Sequence, residues 1–346
     1  MSIRKAAVVM CSLAFLSLSS CTEKIVDPKP VTEPIYSIYD QLVVNGNTAY
    51  VTQQYYRISG FSWLFDSVAN LMPVNVTDSS IGAAIKLKYP NAGFVVMRNG
   101  DLYACTMGSL YAKDSGGIEK VNLATGQSTV MITEKEIDTM STGIVKIEFK
   151  NDSMVYCLYG KSDYSTGIAL VNIARRSVVK RLSGITDASG GMAIDTLNKK
   201  LYVGERGYSA SGLLVFSTLN DSLSAGPIST GLPPYSMAFH PQKNKLFITT
   251  SDYVTGKAKV FDCALQALTV DEKAFYQDCI VKISAGKIFI LERGTVSNVS
   301  EVSENLTVNI QKHLADNSNP VDIANTSGGR FIISLNNLSK VTFINL

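Results

Sequence analysis

The chain has only two histidines, His240 and His313, and a single tryptophan, Trp63. A histidine-built metal centre or a Ser-His-Asp triad needs ring nitrogens converging on one point, and so scant a supply argues against both. The GxSxG, HExxH, P-loop and CxxCH patterns are missing after Cys21. Their absence removes the usual signatures of nucleophile elbows, zinc peptidases, nucleotide sites and haem attachment. Carboxylates are plentiful, yet none fall at EF-hand spacing. No catalytic residue, metal ligand or cofactor is therefore expected.

Cysteine is sparse and badly spaced for chemistry. Of the six, Cys11 and Cys21 lie near the N-terminus, and Cys105, Cys157, Cys263 and Cys279 form no CxxC pair. These four read as buried thiols or one or two disulfides rather than a redox or metal site. A large charge excess is lacking too. The formal net charge is +3, and it falls to +1 once Arg4 and Lys5 are set aside with the first twenty residues. That leaves no electrostatic footprint for a nucleic acid.

Long apolar runs are also missing. The run from Ala6 to Leu18 has thirteen residues, short of the roughly 20 that span a bilayer. With Arg4 and Lys5 ahead of it, it has the build of a secretory signal. It ends in Leu18-Ser19-Ser20-Cys21, which resembles a bacterial lipobox, in which the cysteine is diacylated and becomes the new N-terminus. Residues 1–20 are thus expected to be a removed lipoprotein signal peptide. Cys21 is expected to carry the lipid, and residues 21–34, with Pro28, Pro30 and Pro34, to form a semi-extended tether. Each buried methylene of an acyl chain contributes about 0.8 kcal/mol, and more than one chain makes anchoring stable. The expected location is the outer membrane, held through the lipid anchor only, facing the cell surface or the periplasm.

What the chain does have is a repeat. A short apolar strand, a tight turn rich in Asn, Gly, Lys or Asp, and a second strand of Leu-Tyr-Val type recur as LVVNGNTAYVT, FVVMRNGDLYACT, VKIEFKNDSMVYCL, MAIDTLNKKLYVG, MAFHPQKNKLFIT, VKISAGKIFIL and DIANTSGGRFIIS. The second strands begin near Ala49, Leu102, Met154, Leu201, Leu246, Ile288 and Phe331, at spacings of 42 to 53 residues, the propeller range. Third strands (TGIALVNI, SGLLVFST, GKAKVFDC) and fourth strands (STVMIT, SVVKRLS) follow. Residues 35–346 are therefore expected to be an all-β, seven-bladed propeller of four-stranded antiparallel blades. The chain stops at VTFINL, a third strand, so the segment Pro34–Tyr39 is expected to supply the missing fourth strand of blade seven and close the ring.

In such a fold the loops between second and third strands share one face, and their composition is informative. They offer Tyr55 and Tyr56 with Phe61 and Trp63 in blade one, Tyr111 in blade two, Tyr164 in blade three, Tyr208 in blade four and Tyr253 in blade five. Arg57, Arg206 and Arg293 join them. Tyrosine and tryptophan provide large amphipathic contact area with little rotamer entropy to lose, which suits a binding surface. The competing reading is that each tyrosine packs its own loop. The Arg206 and Arg293 positions lie in two Glu-Arg-Gly triplets at the same blade register, 205–207 and 292–294. Recurring Asp-Ser and Asp-Thr pairs, as at Asp138 and Asp195, resemble the O-glycosylation site of some exported bacterial proteins, although ordinary turn chemistry before a strand accounts for most of them.

With the signal, the lipobox and blades of the form KLFITTSDYVTGKAKVFD, the chain resembles the YncE-like seven-bladed propellers, and among them the lipid-anchored BtuG-type surface proteins. That resemblance implies capture of a cobamide on one broad face and delivery to a TonB-dependent outer-membrane transporter. The aromatic face itself suits a bulky polar ligand or a glycan. Two alternatives stand beside ligand capture: a structural or assembly scaffold that binds another envelope protein, and a metal- or cofactor-dependent propeller hydrolase.

Overall fold

A run such as Leu201-Tyr202-Val203 is apolar at successive positions, so it makes a stable strand only where both faces of its sheet are covered. The computed structural model of the chain provides that cover by stacking seven antiparallel sheets side by side around a central channel. It describes residues 36–59, 62–65, 68–107, 116–206, 211–251, 256–275, 278–326 and 328–346.

The inner strands of the seven blades are Tyr36–Asn45, Ala92–Arg98, Ser141–Phe149, Ala188–Asp195, Pro234–His240, Cys279–Ser284 and Pro320–Asn325. Each packs against the next and the last against the first, so the ring closes. The second strands begin at Thr48, Asp101, Met154, Lys200, Lys245, Lys287 and Phe331, each within one residue of its sequence anchor. Blades two to six have four strands in sequence order. Blade one has four and a short extra strand, Ser62–Phe65, paired to its second. Blade seven has three among the described residues, ending in Lys340–Ile344.

Burial follows position in the blade. The second and third strands of blade four, Lys200–Arg206 and Ser211–Ser217, each bury five successive residues, while the outer strand Val308–His313 of blade six is exposed throughout. Double-sided burial of the middle strands is the reason the Leu-Tyr-Val signature repeats. The one α-helix among the described residues, Glu134–Ile137, sits between blades two and three and is closed by a capping box of Thr133 and Glu136. Asp138 and Asp195 accept hydrogen bonds from the backbone two residues on, at 3.0 and 2.9 Å, as turn chemistry requires.

All four cysteines from Cys105 to Cys279 are free and buried. Cys105 and Cys157 share the apolar cluster between blades two and three with Ile118 and Tyr159. Burial pushes each thiol pKa up, that of Cys263 to about 11, which suppresses thiolate reactivity.

The closing strand differs from expectation. Tyr36–Tyr39 do not line the edge of blade seven; they pair with Gln53–Tyr56 as the start of the inner strand of blade one. The physical reason is local: the tight turn at Gly46 and Asn47 sets Asn45 against Thr48, and the same strand then runs on along Thr48–Ser59 on the edge opposite Asn70–Asn75. Pro34 lies outside the described residues. The N-terminal strand still stands at the seam, but joins the last blade by packing. Tyr39, Leu42 and Val51 share an apolar cluster with Ile332 and Phe343. The Leu42 N–H donates to Asp322 at 3.1 Å, and the Arg330 guanidinium to the Val76 carbonyl at 2.8 Å.

Candidate functional site

Inner strands start, and second strands end, on the same face of the ring. The connections entering blades two and four are fixed there by buried carboxylates. Glu119 accepts the N–H groups of Lys88 and Tyr89 at 2.8 and 3.3 Å, and Glu205 those of Thr186 and Asp187 at 2.7 and 3.3 Å. Glu205 of the first Glu-Arg-Gly triplet is therefore a brace for its own blade.

The arginines of the two triplets do the same thing twice. The Arg206 N–H donates to the Asp187 carbonyl at 2.7 Å, and its Nε lies 3.5 Å from the Asp187 carboxylate. The Arg293 N–H donates to the Asp278 carbonyl at 2.8 Å, with Nη1 3.6 Å from that carboxylate. Arg293 also donates to the Tyr235 hydroxyl at 2.9 Å. The Arg206 side chain is half exposed; Arg293 is mostly covered.

In blade one, Tyr55 and Tyr56 occupy strand rather than loop. The Tyr55 hydroxyl donates to Gln53 at 2.8 Å and accepts from Asn70 at 3.2 Å. The Tyr56 ring stacks on Tyr36, centroids 5.5 Å apart and planes 27° from parallel. Arg57 and Trp63 lie on the two arms of a hairpin that extends the blade, opposite Leu64 and Ile58 respectively. Tyr164, at the tip of the blade-three loop, is 87% exposed with a backbone φ of +64°. Cys21, Phe61, Tyr111, Tyr208 and Tyr253 lie outside the described residues.

The sequence reading missed the groups that line the channel and its mouth. The channel holds a cavity of about 530 Å³ whose walls include Gln41, Phe94, Lys146, Glu148, Tyr235 and Lys282. Lys146 pairs with Glu148 at 3.0 Å and lies over the Phe94 ring at 5.6 Å. Lys282 pairs with Asp322 at 3.0 Å and donates to Gln41 at 3.1 Å. Gln54 donates to Asp40 at 3.2 Å and to the Ala92 carbonyl at 3.0 Å, linking blades one and two.

Burial raises the Asp40 pKa to about 6, against the pull of Arg293, Gln41 and Lys282 and with a small push from Asp322. Burial also raises the Tyr235 phenol, partly offset by Arg293. The only signal for these residues in the sequence is a polar side chain within or at the start of an inner strand, which resembles ordinary turn punctuation.

Such an arrangement can hold a polar ligand by exchanging paired charges and amides for contacts with it. His240 is remote from it: its Nε2 bonds the Gly286 carbonyl at 3.0 Å, joining blades five and six at the opposite face. His313 is exposed and pairs with Asp316 at 3.2 Å. No cluster of three or more His, Cys, Asp or Glu side chains arranged for a metal occurs among the described residues.

The fold and face define a seven-bladed β-propeller with a polar central channel. No known family matches the chain, and no curated protein does. Solved structures do. A crystal structure of the mitotic checkpoint complex contains a chain that is 12% identical, with a TM-score of 0.62 over 94% of this chain and 95% of that one. The computationally designed protein Ika8 is 11% identical, with a TM-score of 0.54 over 90% and 96%. At these identities the likeness is one of fold.

Proposed function

We propose that this protein is a lipid-anchored, non-enzymatic propeller that captures a bulky polar ligand on the face carrying the second-to-third-strand loops. The observation that carries the reading is Tyr164. A tyrosine that merely packs its own loop would be covered, yet this one is 87% exposed and held at a φ of +64°. A large aromatic side chain kept in water on a left-handed backbone suits contact with something outside the chain. The half-exposed Arg206 and the stacked Tyr36 and Tyr56 offer further hydrogen-bonding and aromatic area on the same face.

The ligand classes in keeping with this surface are a cobamide, as the resemblance to BtuG-type proteins suggests, and a glycan stacked on aromatic rings. Handover to a TonB-dependent transporter follows if the ligand is a nutrient to be imported. Titration calorimetry of the protein with cobalamin and with a glycan panel tests the reading. Binding is expected with one of them, weakened at least about fivefold by Tyr164→Ala. An absence of heat with both counts against capture.

A further inference from the structure

A lipid at Cys21 fixes the distance of the propeller from a bilayer but not which face meets it. The fifteen residues from Cys21 to Ile35 reach about 50 Å when extended, more than the roughly 33 Å of the ten-residue inner strand of blade one. Either face is therefore within reach, and the choice must be made by the surface itself.

The face opposite the tyrosines is built from the turns joining first to second and third to fourth strands. In blades four and five three of these turns carry leucines in water: Leu197, Leu219 and Leu265 are 58, 78 and 70% exposed. Turn geometry does not demand them. In the turn 173–176 of blade three, Ala174 stands where Leu219 stands in 218–221, and Arg175 where Leu265 stands in 263–266. Gln242 occupies the place of Leu197 in the turn 241–244.

The turns are held side by side. Asn198 bonds Asn244 at 2.6 Å, Lys150 pairs with Asp221 at 2.7 Å, Lys180 donates to the Asn220 carbonyl at 3.0 Å, and Gln266 reaches the Tyr202 hydroxyl at 3.5 Å.

Cations stand on the same and the neighbouring turns. Arg176 and Lys243 are matched by Glu136 and Glu304, but Arg175, Lys199 and Lys200 have no carboxylate partner among the described residues, Lys200 reaching only the Ser224 hydroxyl at 3.4 Å. Exposed leucines on turns that, with their neighbours, carry unmatched basic groups are complementary to an anionic lipid surface, where headgroups take the charge and the interface takes the side chains.

We propose that the turn face of blades three to five is a docking surface for an anionic bilayer, which turns the tyrosine-bearing face away from the membrane. This orientation rests on the lipid-anchor reading and deepens it, because a capturing face must look outward. The contact itself is weak, and low ionic strength strengthens it enough to be read without the anchor.

The test removes the anchor so that the two readings fail separately. The mature chain, residues 21–346, carrying Cys21→Ala is sedimented at low salt with vesicles of phosphatidylcholine, with and without phosphatidylglycerol. Binding to the anionic vesicles alone is expected, lost on raising the salt. Arg175→Ala and Lys199→Ala should each reduce partitioning about fivefold, and Leu219→Ser with Leu265→Ser should reduce it further, all with unchanged melting temperature. A folded Cys21→Ala chain that stays in the supernatant with both vesicle types overturns the docking surface. So does binding that these substitutions leave intact. The anchor reading is judged independently, by whether the unsubstituted chain in bacterial envelopes incorporates labelled fatty acid at Cys21.

Discussion

Arg293 grips Asp278 twice, through its backbone N–H to the carbonyl and through its guanidinium to the carboxylate, and Arg206 grips Asp187 in the same way two blades earlier. In each case the aspartate ends the connection that enters the blade, so the clasp pins the start of an inner strand to the end of its neighbour. Arg293 adds the Tyr235 hydroxyl and is the more covered of the two. Arg293→Ala is expected to cost about 2 kcal/mol, because it strands a partly buried carboxylate and phenol. Arg206→Ala should cost less than about 1 kcal/mol, since its pair is exposed. Urea denaturation of both variants decides this, and equal losses would refute the burial argument.

Asp322 of blade seven accepts the Leu42 N–H of blade one at 3.1 Å and the Lys282 ammonium of blade six at 3.0 Å. One buried carboxylate thus joins three blades at the seam of the ring. Asp322→Ala leaves the Leu42 amide without its acceptor and the Lys282 ammonium with Gln41 but no carboxylate, and a loss of about 3 kcal/mol is expected. The matching change at an exposed pair, Asp152→Ala opposite Arg98, should cost less than about 1 kcal/mol. Comparable melting temperatures for the two variants would mean that the seam is not where the ring is vulnerable.

How much of this was legible follows from burial. The second strands announced themselves because both their faces are covered, which favours an apolar triplet at each anchor, such as Leu-Tyr-Val at 201–203 and Ile-Phe-Ile at 288–290. The closing strand misled, because nothing in the spelling of PIYSIY distinguishes an outer strand of blade seven from an inner strand of blade one. The choice is made by pairing along one whole edge of the twelve-residue strand Thr48–Ser59, a tertiary fact. The same length turned QQYYRISGFSW from an expected loop into a hairpin, although Tyr-Arg-Ile-Ser and Ser-Trp-Leu-Phe on either side of Gly60 were the signal available. The channel cluster was illegible for another reason. Asp40, Tyr235, Lys282 and Asp322 come from four different blades, and only ring closure brings them together.

Asp40 gives the fold a pH dependence of definite sign. Its folded pKa of about 6 lies above the ordinary value of 3.8, so the folded state binds more protons than the unfolded one between those limits. Its contribution is most favourable below about pH 4 and declines as pH rises through 6, by at most about 3 kcal/mol. Asp40→Asn removes the titration. The variant should be more stable than the parent at pH 8 and lose that advantage near pH 4. A stability difference that does not change with pH would show that Asp40 does not carry the raised pKa.

Tyr164 allows function and folding to be pulled apart. Its left-handed backbone, φ +64°, costs a non-glycine residue about 1 kcal/mol, and glycine pays none of it. Because the ring is exposed to water, Tyr164→Gly removes little packing, and the relief of strain is offset in part by the freer unfolded chain. The variant is therefore expected to be as stable as the parent or up to about 1 kcal/mol more so, while ligand binding falls at least about fivefold. Denaturation and calorimetry on the same preparation make the comparison. A destabilised variant would mean that the ring packs against the protein after all, and a stable variant that binds undiminished would remove Tyr164 from the capturing face.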